Sequence, residues 1–322
     1  MILVTGGTGF VGRHLQEELK NRRLSFTVFS KSEYDLASKE QADSVFARYP
    51  NADVILHFAC YQAAGDFPAK HTAEQLHINS LIHLNVLESW RRHSPNAKLI
   101  AVGSSCAYPS QANELTEDRL MDGEIHGSVY SYAFTKRLLY TGVLAYNDQY
   151  KLDGSYIIPP TLFGEHDDFD IETAHVTGAL VAKFVQAVRE NRPEVEIWGD
   201  GSQVREFLYV KDFVRTVLDL MPKLSRELLN VAPGRGTSIG ELAEIIARAA
   251  GFKGRIVRNT SRYVGVQEKF LNVEKMQKKY GTILEGDLEH GIASTVEWYS
   301  AHYEELKNKR KFAGHSPARG WE

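Results

Sequence analysis

Short apolar runs alternate with longer amphipathic stretches through the first 110 residues of the chain. Ile2-Leu3-Val4 reads as a short buried strand, and the apolar spacing near residues 11–22 is that of a helix with one buried face. Ser25-Phe26-Thr27-Val28-Phe29 predicts a second strand, residues 53–58 a third, 98–103 a fourth and 155–158 a fifth. Helical spacing fills residues near 74–93 and 130–149. Such alternation implies a parallel sheet covered on both faces, with right-handed crossovers. After Pro159-Pro160 the pattern changes to loops, one helical stretch near 177–190 and a short strand at 195–198.

The expected fold class is α/β, a Rossmann-type doubly wound parallel sheet with a smaller α/β substrate-binding domain. The sheet domain is expected over 1–160 plus about 205–232, where the chain returns, and the smaller domain over 161–204 and 233–306. Residues 307–322 mix Lys, Arg, Gly and Pro and are expected to form a mobile tail.

Composition narrows the partners. The chain has 322 residues, 38 basic against 41 acidic, for a net charge of -3. That balance points to neither nucleic acid nor an anionic membrane. Two cysteines, Cys60 and Cys106, make no disulfide framework and have no metal-ligand spacing. Cys60 reads as a core residue. With no signal-like start and no apolar run long enough to span a bilayer, a cytoplasmic protein is expected.

Gly6, Gly9 and Gly12 sit in Thr5-Gly6-Gly7-Thr8-Gly9-Phe10-Val11-Gly12, between the first strand and the first helix. Glycines there permit a tight turn and close backbone approach to a pyrophosphate, and the helix N-terminus offers free N–H groups and a positive dipole end. A glycine triplet alone could be a flexible turn, but its place at the head of an α/β alternation favours dinucleotide binding. At the end of the second strand, Phe29-Ser30-Lys31-Ser32 lacks the acid that would bond a ribose 2′-OH, so NADP(H) is expected over NAD(H). The alternative is that Lys31 is a solvated loop charge.

Tyr132-Ala133-Phe134-Thr135-Lys136 places a phenol and an ammonium on one helix face. A nearby cation is expected to lower the tyrosine's pKa towards useful acid–base range. The spacing is common by chance. It gains weight from Ser104, on a turn after the fourth strand, whose hydroxyl can hold a carbonyl beside the phenol.

These features together resemble the extended short-chain dehydrogenase/reductases, the NAD-dependent epimerase/dehydratase family. Finer motifs are similar to the GDP-L-fucose synthase family: Gly103-Ser104-Ser105-Cys106-Ala107-Tyr108-Pro109, Phe163-Gly164-Glu165-His166-Asp167-Asp168-Phe169, His175-Val176, Trp198-Gly199-Asp200-Gly201 and Arg205-Glu206-Phe207-Leu208. The resemblance implies an NADPH-dependent epimerase-reductase acting on a GDP-linked 4-keto sugar, without a metal, and a homodimer joined through two helices per subunit. It implies catalytic roles for Ser104, Cys106, Tyr132, Lys136 and His175. Cys106 and His175 would move protons at the carbons beside the ketone, since inverting a carbon needs a base on one face and an acid on the other. It further implies dinucleotide contacts from Gly6, Gly9, Phe10, Val11, Gly12, Ser30, Lys31, Asp35, Leu36, Ala59, Pro159 and His175, with Tyr132 and Lys136. Lys183, Trp198, Arg205 and Lys269 would bind the nucleotide diphosphate.

The chain also departs from that pattern. Residues 61–66 replace a Gly-Gly-Ile-like segment, Thr8 stands where a basic residue is usual, Val264 replaces an acid and Glu268 an arginine. Lys211 stands where an acid is common. A heptose or another deoxy-sugar is therefore open as substrate. A 4-reductase or 4-epimerase without C3/C5 chemistry is the second reading, and a non-catalytic dinucleotide-binding protein the third.

Overall fold

The computed structural model describes residues 1–63, 67–111, 114–171, 173–261 and 267–307. In chain order the first half comprises β1 (Ile2–Thr5), α1 (Phe10–Asn21), β2 (Phe26–Val28), α2 (Lys39–Arg48), β3 (Val54–His57), α3 (Phe67–Lys70), α4 (Thr72–His93), β4 (Lys98–Val102), α5 (Tyr130–Tyr150) and β5 (Gly154–Ile158). Then follow β6 (Thr161–Phe163), α6 (Val176–Arg189), β7 (Glu194–Trp198), β8 (Val204–Arg205), β9 (Phe207–Tyr209), α7 (Val210–Leu220) and β10 (Leu228–Asn230). The last part holds β11 (Thr237–Ser238), α8 (Ile239–Ala250), β12 (Arg255–Asn259), β13 (Glu268–Lys269), α9 (Glu274–Tyr280), α10 (Leu288–Ala301) and α11 (Tyr303–Leu306).

Six strands form one parallel sheet in the order β2-β1-β3-β4-β5-β10. Its central strands are buried along nearly their whole length, as their unbroken apolar runs require. The chain runs outward from β1 to β2 and comes back to the other side of β1 as β3, with Thr5 beside His57. This reversal opens a crevice at the carboxyl ends of β1 and β3, the place where open α/β sheets take ligands. Helix α2, not singled out in the sequence, begins at Ser38, whose side chain accepts from Gln41 N, and buries Val45 and Phe46. Helices α4 and α5 pack side by side, and Trp90 of α4 is fully buried with its Nε1 donating to Ala97 O at 2.9 Å.

Strand β10 pairs with β5, and α7 packs on α1, where Arg22 reaches Asp219 at 2.6 Å. The remaining strands form small sheets: β6 with β9, β7 with β12, and β11-β8-β13. No helix among the described residues is long and apolar enough to cross a membrane. The expected mobile tail, beyond Lys307, lies outside the described residues.

Asn230, at the end of β10, ties these parts together. Its Oδ1 accepts from the buried Tyr108 hydroxyl at 2.8 Å, and its Nδ2 donates to Leu115 O and Asn272 O, each at 2.8 Å. Its backbone N donates to the buried Glu117 carboxylate at 2.9 Å. Asn230→Ala strands the Tyr108 hydroxyl and two carbonyls and should cost about 3 kcal/mol or more, read as a lowered denaturant midpoint. A variant within about 0.5 kcal/mol of the parent would show that this hub carries no stability.

Candidate active site

The glycine loop takes the shape its sequence suggests. Gly6 has φ +73°, and a Cβ there would lie 2.6 Å from Ala59 N, so β1 and the end of β3 meet without a side chain between them. A Cβ on Gly12 would run into the carbonyl oxygens of Gly6 and Gly7. Helix α1 therefore starts hard against the loop, with Gly9 as N-cap and Phe10 and Val11 in its first turn. The Arg13 side chain folds back so that Nε donates to Thr8 O at 3.3 Å. A cation thus returns to the loop whose usual basic position is occupied by Thr8, a placement the linear motif did not reveal.

At the end of β2 the segment 29–32 carries no acid, and one follows immediately after it. An acid is present: Glu33 Oε2 accepts from both the amide and the hydroxyl of Ser30, at 2.7 Å each, and Ser30 Oγ lies 2.9 Å from Ser32 Oγ. The turn brings Glu33 back over Ser30, which reading only residues 29–32 missed. Those two hydrogen bonds hold the Glu33 carboxyl below its ordinary pKa. Lys31 is exposed, 3.8 Å from Asp35, whose own carboxylate accepts from Ala37 N at 3.0 Å. Leu36 is buried, and its carbonyl accepts from Asn85 Nδ2 at 2.9 Å.

The end of β4 carries the candidate chemistry. Ser104 caps a single 3-10 turn over Ser105–Ala107, its hydroxyl accepting from Cys106 N at 3.2 Å. The backbone through Cys106 is therefore a tight turn, in which the serine side chain takes that amide. Ser105 N donates to Pro159 O at 3.2 Å, which brings the end of β5 against the same turn. On α5, Tyr132 and Lys136 are both buried.

Their electrostatics differ from expectation. Lys136 Nζ donates to Val102 O at 2.8 Å and sits 5.7 Å from the Tyr132 ring centre. Burial drives the Tyr132 phenol well above its ordinary pKa; Cys60, Cys106 and Tyr156 push the same way, and the Ser104 hydroxyl pulls against them. Burial outweighs the cation, so the phenol holds its proton. Burial also lowers Lys136, with Cys60 pulling it partly back.

Cys60 is not the core residue the sequence suggested. It is exposed, beyond the end of β3, and within electrostatic reach of both Tyr132 and Lys136, because the crevice opens where β3 ends. Cys106 is half-buried. Both cysteines of the chain thus act on one tyrosine. His175 is the exposed N-cap residue of α6, on a different element from that cluster.

Two pairs of predicted substrate residues come together. Strands β8 and β13 run parallel with Arg205 directly opposite Lys269, and with Ser105, Thr161 and Phe270 these line a small cavity. Between them, the buried Glu206 carboxylate accepts from Gly234 N at 2.6 Å and Leu271 N at 2.9 Å, and burial pushes its pKa up to about 7. Lys183 Nζ lies 5.4 Å from the Trp198 ring centre and donates to Glu196 O at 3.1 Å. The out-of-pattern Lys211 bonds Glu165 Oε1 at 2.7 Å, so its unusual charge is answered within the chain. Val264 and residues 64–66 lie outside the described residues. A larger cavity, about 300 Å³, opens under Glu117, Tyr140, Tyr156, Glu227 and Lys275, and none of the predicted site residues lines it.

A parallel sheet with a glycine loop and a crevice at the carboxyl ends of β1 and β3 defines a Rossmann-type α/β fold. Residues 2–232 match the NAD dependent epimerase/dehydratase family, and the chain belongs to that family. GDP-L-fucose synthase of Escherichia coli (strain K12) is 31% identical over 97% of this chain and 98% of its own length. Putative GDP-L-fucose synthase 2 of Arabidopsis thaliana is 34% identical over 92% of this chain and 91% of its own. The crystal structure of a GDP-L-fucose synthetase from Naegleria fowleri bound to NADP superposes with a TM-score of 0.85 at 27% identity, covering 95% of this chain and 96% of that one.

The exposure of Cys60 makes a measurable difference between the two thiols. A thiol-reactive chromophore should label Cys60 first and Cys106 more slowly, and Cys60→Ser should remove the fast phase. A saturating nicotinamide dinucleotide should slow that phase. Fast labelling that persists in Cys60→Ser would place the reactive thiol elsewhere.

Proposed function

We propose that the protein is an NADPH-dependent epimerase-reductase of a GDP-linked 4-keto sugar. The observation that carries this reading is the convergence on one crevice of a protonated Tyr132, the Ser104 hydroxyl and the Cys106 turn, with the glycine loop at one end. Arg205 and Lys269, side by side, supply the cationic end for a diphosphate. The similarity to GDP-L-fucose synthases supports guanine-linked sugar as the substrate class. On this reading, residues 1–160 with about 205–232 bind the dinucleotide, and 161–204 with 233–306 bind the nucleotide sugar.

Bound NADPH supplies the hydride for C4 of the sugar. Tyr132 donates its proton to the C4 oxygen, and its raised pKa suits an acid that must arrive protonated at neutral pH. Ser104 holds the same oxygen. Before reduction, Cys106 and His175 serve as the base and acid on opposite faces of the carbons beside the ketone. The base removes the C–H proton, the electron pair moves onto the oxygen held by Tyr132 and Ser104, and the acid returns a proton to the other face. Lys136 keeps a positive charge under the phenol.

The dinucleotide end follows from Ser30–Ser32. Its amide and hydroxyls suit a 2′-phosphate, with Lys31 as the adjacent cation. Glu33 occupies Ser30 and must give way. The exposed apolar residues Leu76 and Leu84 on α4, with Tyr130 and Phe134 on α5, support a homodimer through these two helices.

The deciding experiment uses deuterated water. With a GDP-4-keto-6-deoxy sugar and NADPH, the parent enzyme should place deuterium at C3 and C5, and Cys106→Ser and His175→Asn should lose most of it while still oxidising NADPH. No incorporation by the parent would reduce the protein to a plain 4-reductase or 4-epimerase. Tyr132→Phe should cut turnover by about 10² to 10⁴. For the cofactor, NADPH should bind more tightly than NADH, and Glu33→Gln should widen that gap. Equal affinities in the parent would remove the 2′-phosphate assignment.

A further inference from the structure

A buried carboxylate sits in the cationic pocket. Glu206 lies between β8 and β9, is 3% exposed, and lines the same small cavity as Arg205, Lys269, Ser105 and Thr161. An acid in a pocket that is to receive a diphosphate calls for a reason. Its burial costs free energy, and its charge repels the ligand.

The hydrogen bonds of Glu206 supply one. Oε1 accepts from Gly234 N at 2.6 Å, and Oε2 accepts from Leu271 N at 2.9 Å. The backbone of the same residue is held from another side, where Thr161 N donates to Glu206 O at 3.2 Å. These contacts fall at one end of the three-stranded sheet β11-β8-β13. Arg205 is the middle of that sheet, with Thr237 opposite it on β11 and Lys269 opposite it on β13. Each of the two ladders covers only two residue pairs. Strands so short supply few bonds of their own against sliding or splaying. Gly234 lies just before β11, and Leu271 just after β13. The Glu206 side chain thus reaches from the central strand to the entry of one neighbour and the exit of the other. Hydrogen bonds to a carboxylate are roughly twice as strong as neutral ones, which counts most where the ladders are weakest. Arg205 lies along its own strand, with Nη1 donating to Val204 O at 2.7 Å, so the place of β8 decides the place of the guanidinium. Lys269 is carried by β13, whose continuation Glu206 holds.

We propose that Glu206 is a positioning residue of the sugar-nucleotide pocket: by clamping the segments before β11 and after β13 to β8, it holds Arg205 and Lys269 as one fork for the diphosphate of the substrate. It touches no reacting atom and acts on the ligand only through the two cations. The inference rests on reading Arg205 and Lys269 as the diphosphate-binding pair. An apolar side chain of similar size would fill the same space but leave the amides of Gly234 and Leu271 without their acceptor. The clamp predicts more than lost stability. The damage should fall on the nucleotide-sugar end and spare the dinucleotide end, which is built from β1, β3 and α1.

The test measures binding of GDP and of NADPH by calorimetry to the full-length protein. The proteins compared are the parent, Glu206→Leu, Glu206→Gln, Arg205→Ala, Lys269→Ala and the double variant Glu206→Leu/Arg205→Ala. Glu206→Leu should weaken GDP binding by about tenfold or more and leave NADPH affinity within about twofold. Glu206→Gln keeps one acceptor oxygen for two amides and should fall between the parent and Glu206→Leu. In the Arg205→Ala background the fork is already broken, so adding Glu206→Leu should weaken GDP binding by much less than it does in the parent. A fully additive loss in the double variant overturns the proposal. So does parent-like GDP binding in Glu206→Leu, or an equal loss of both ligands, which would make Glu206 a general support of the fold. Should Glu206→Leu fail to fold, Glu206→Gln decides: weaker GDP binding with NADPH unmoved supports the clamp, and unchanged GDP binding overturns it. Parent-like GDP binding in both Arg205→Ala and Lys269→Ala would sink the diphosphate reading of the pocket itself, an outcome distinct from failure of the clamp.

Discussion

Everything in this molecule that touches chemistry depends on how closely three backbones meet at Gly6. The end of β1, the amide of Ala59 beyond β3 and the first turn of α1 occupy a space with no room for a Cβ at Gly6 or Gly12. That contact sets where the crevice opens and aims the N-terminus of α1 into it. It also fixes the end of β3, where His57 lies within hydrogen-bond distance of Thr5 and His83. The sheet provides rigidity, and this one contact sets how its strand ends meet the first turn of α1.

Burial is the second governing influence. The reading of Tyr132 and Lys136 from spacing alone predicts a phenol softened by a cation. In the folded chain both groups are out of water, and withdrawal from solvent pushes each towards its neutral form. The phenol is thereby held towards its protonated form. Cys60 and Cys106 reinforce it from either side.

Much of the framework was legible because its signals are local. The apolar runs of β1, β3, β4 and β5 and the helical spacing of α1, α4, α5 and α6 lie within a few residues of their observed limits. The glycine loop and the Tyr132–Lys136 spacing name their own positions. What stayed hidden depends on contacts distant in sequence or on turns. Glu33 reaches Ser30 only because the chain folds back after β2, and Cys60 is exposed only because β3 ends at a crevice. Strands of two or three residues, such as β8 and β13, carry no periodicity to detect. The His57–His83 pair joins a strand end to a helix 26 residues on, and nothing in either stretch announces the other.

The pairing of Arg205 with Lys269 has a bearing on the order in which the protein assembles. It is a two-residue parallel ladder between segments some 60 residues apart, next to which the Glu206 carboxylate accepts from the amides of Gly234 and Leu271. Closing so long a loop for so short a ladder gains little until the surrounding elements are in place. The sheet and its glycine crevice can form on their own contacts, which are extensive and apolar. The Arg205–Lys269 ladder is thus expected to be completed after the sheet and to come apart before it.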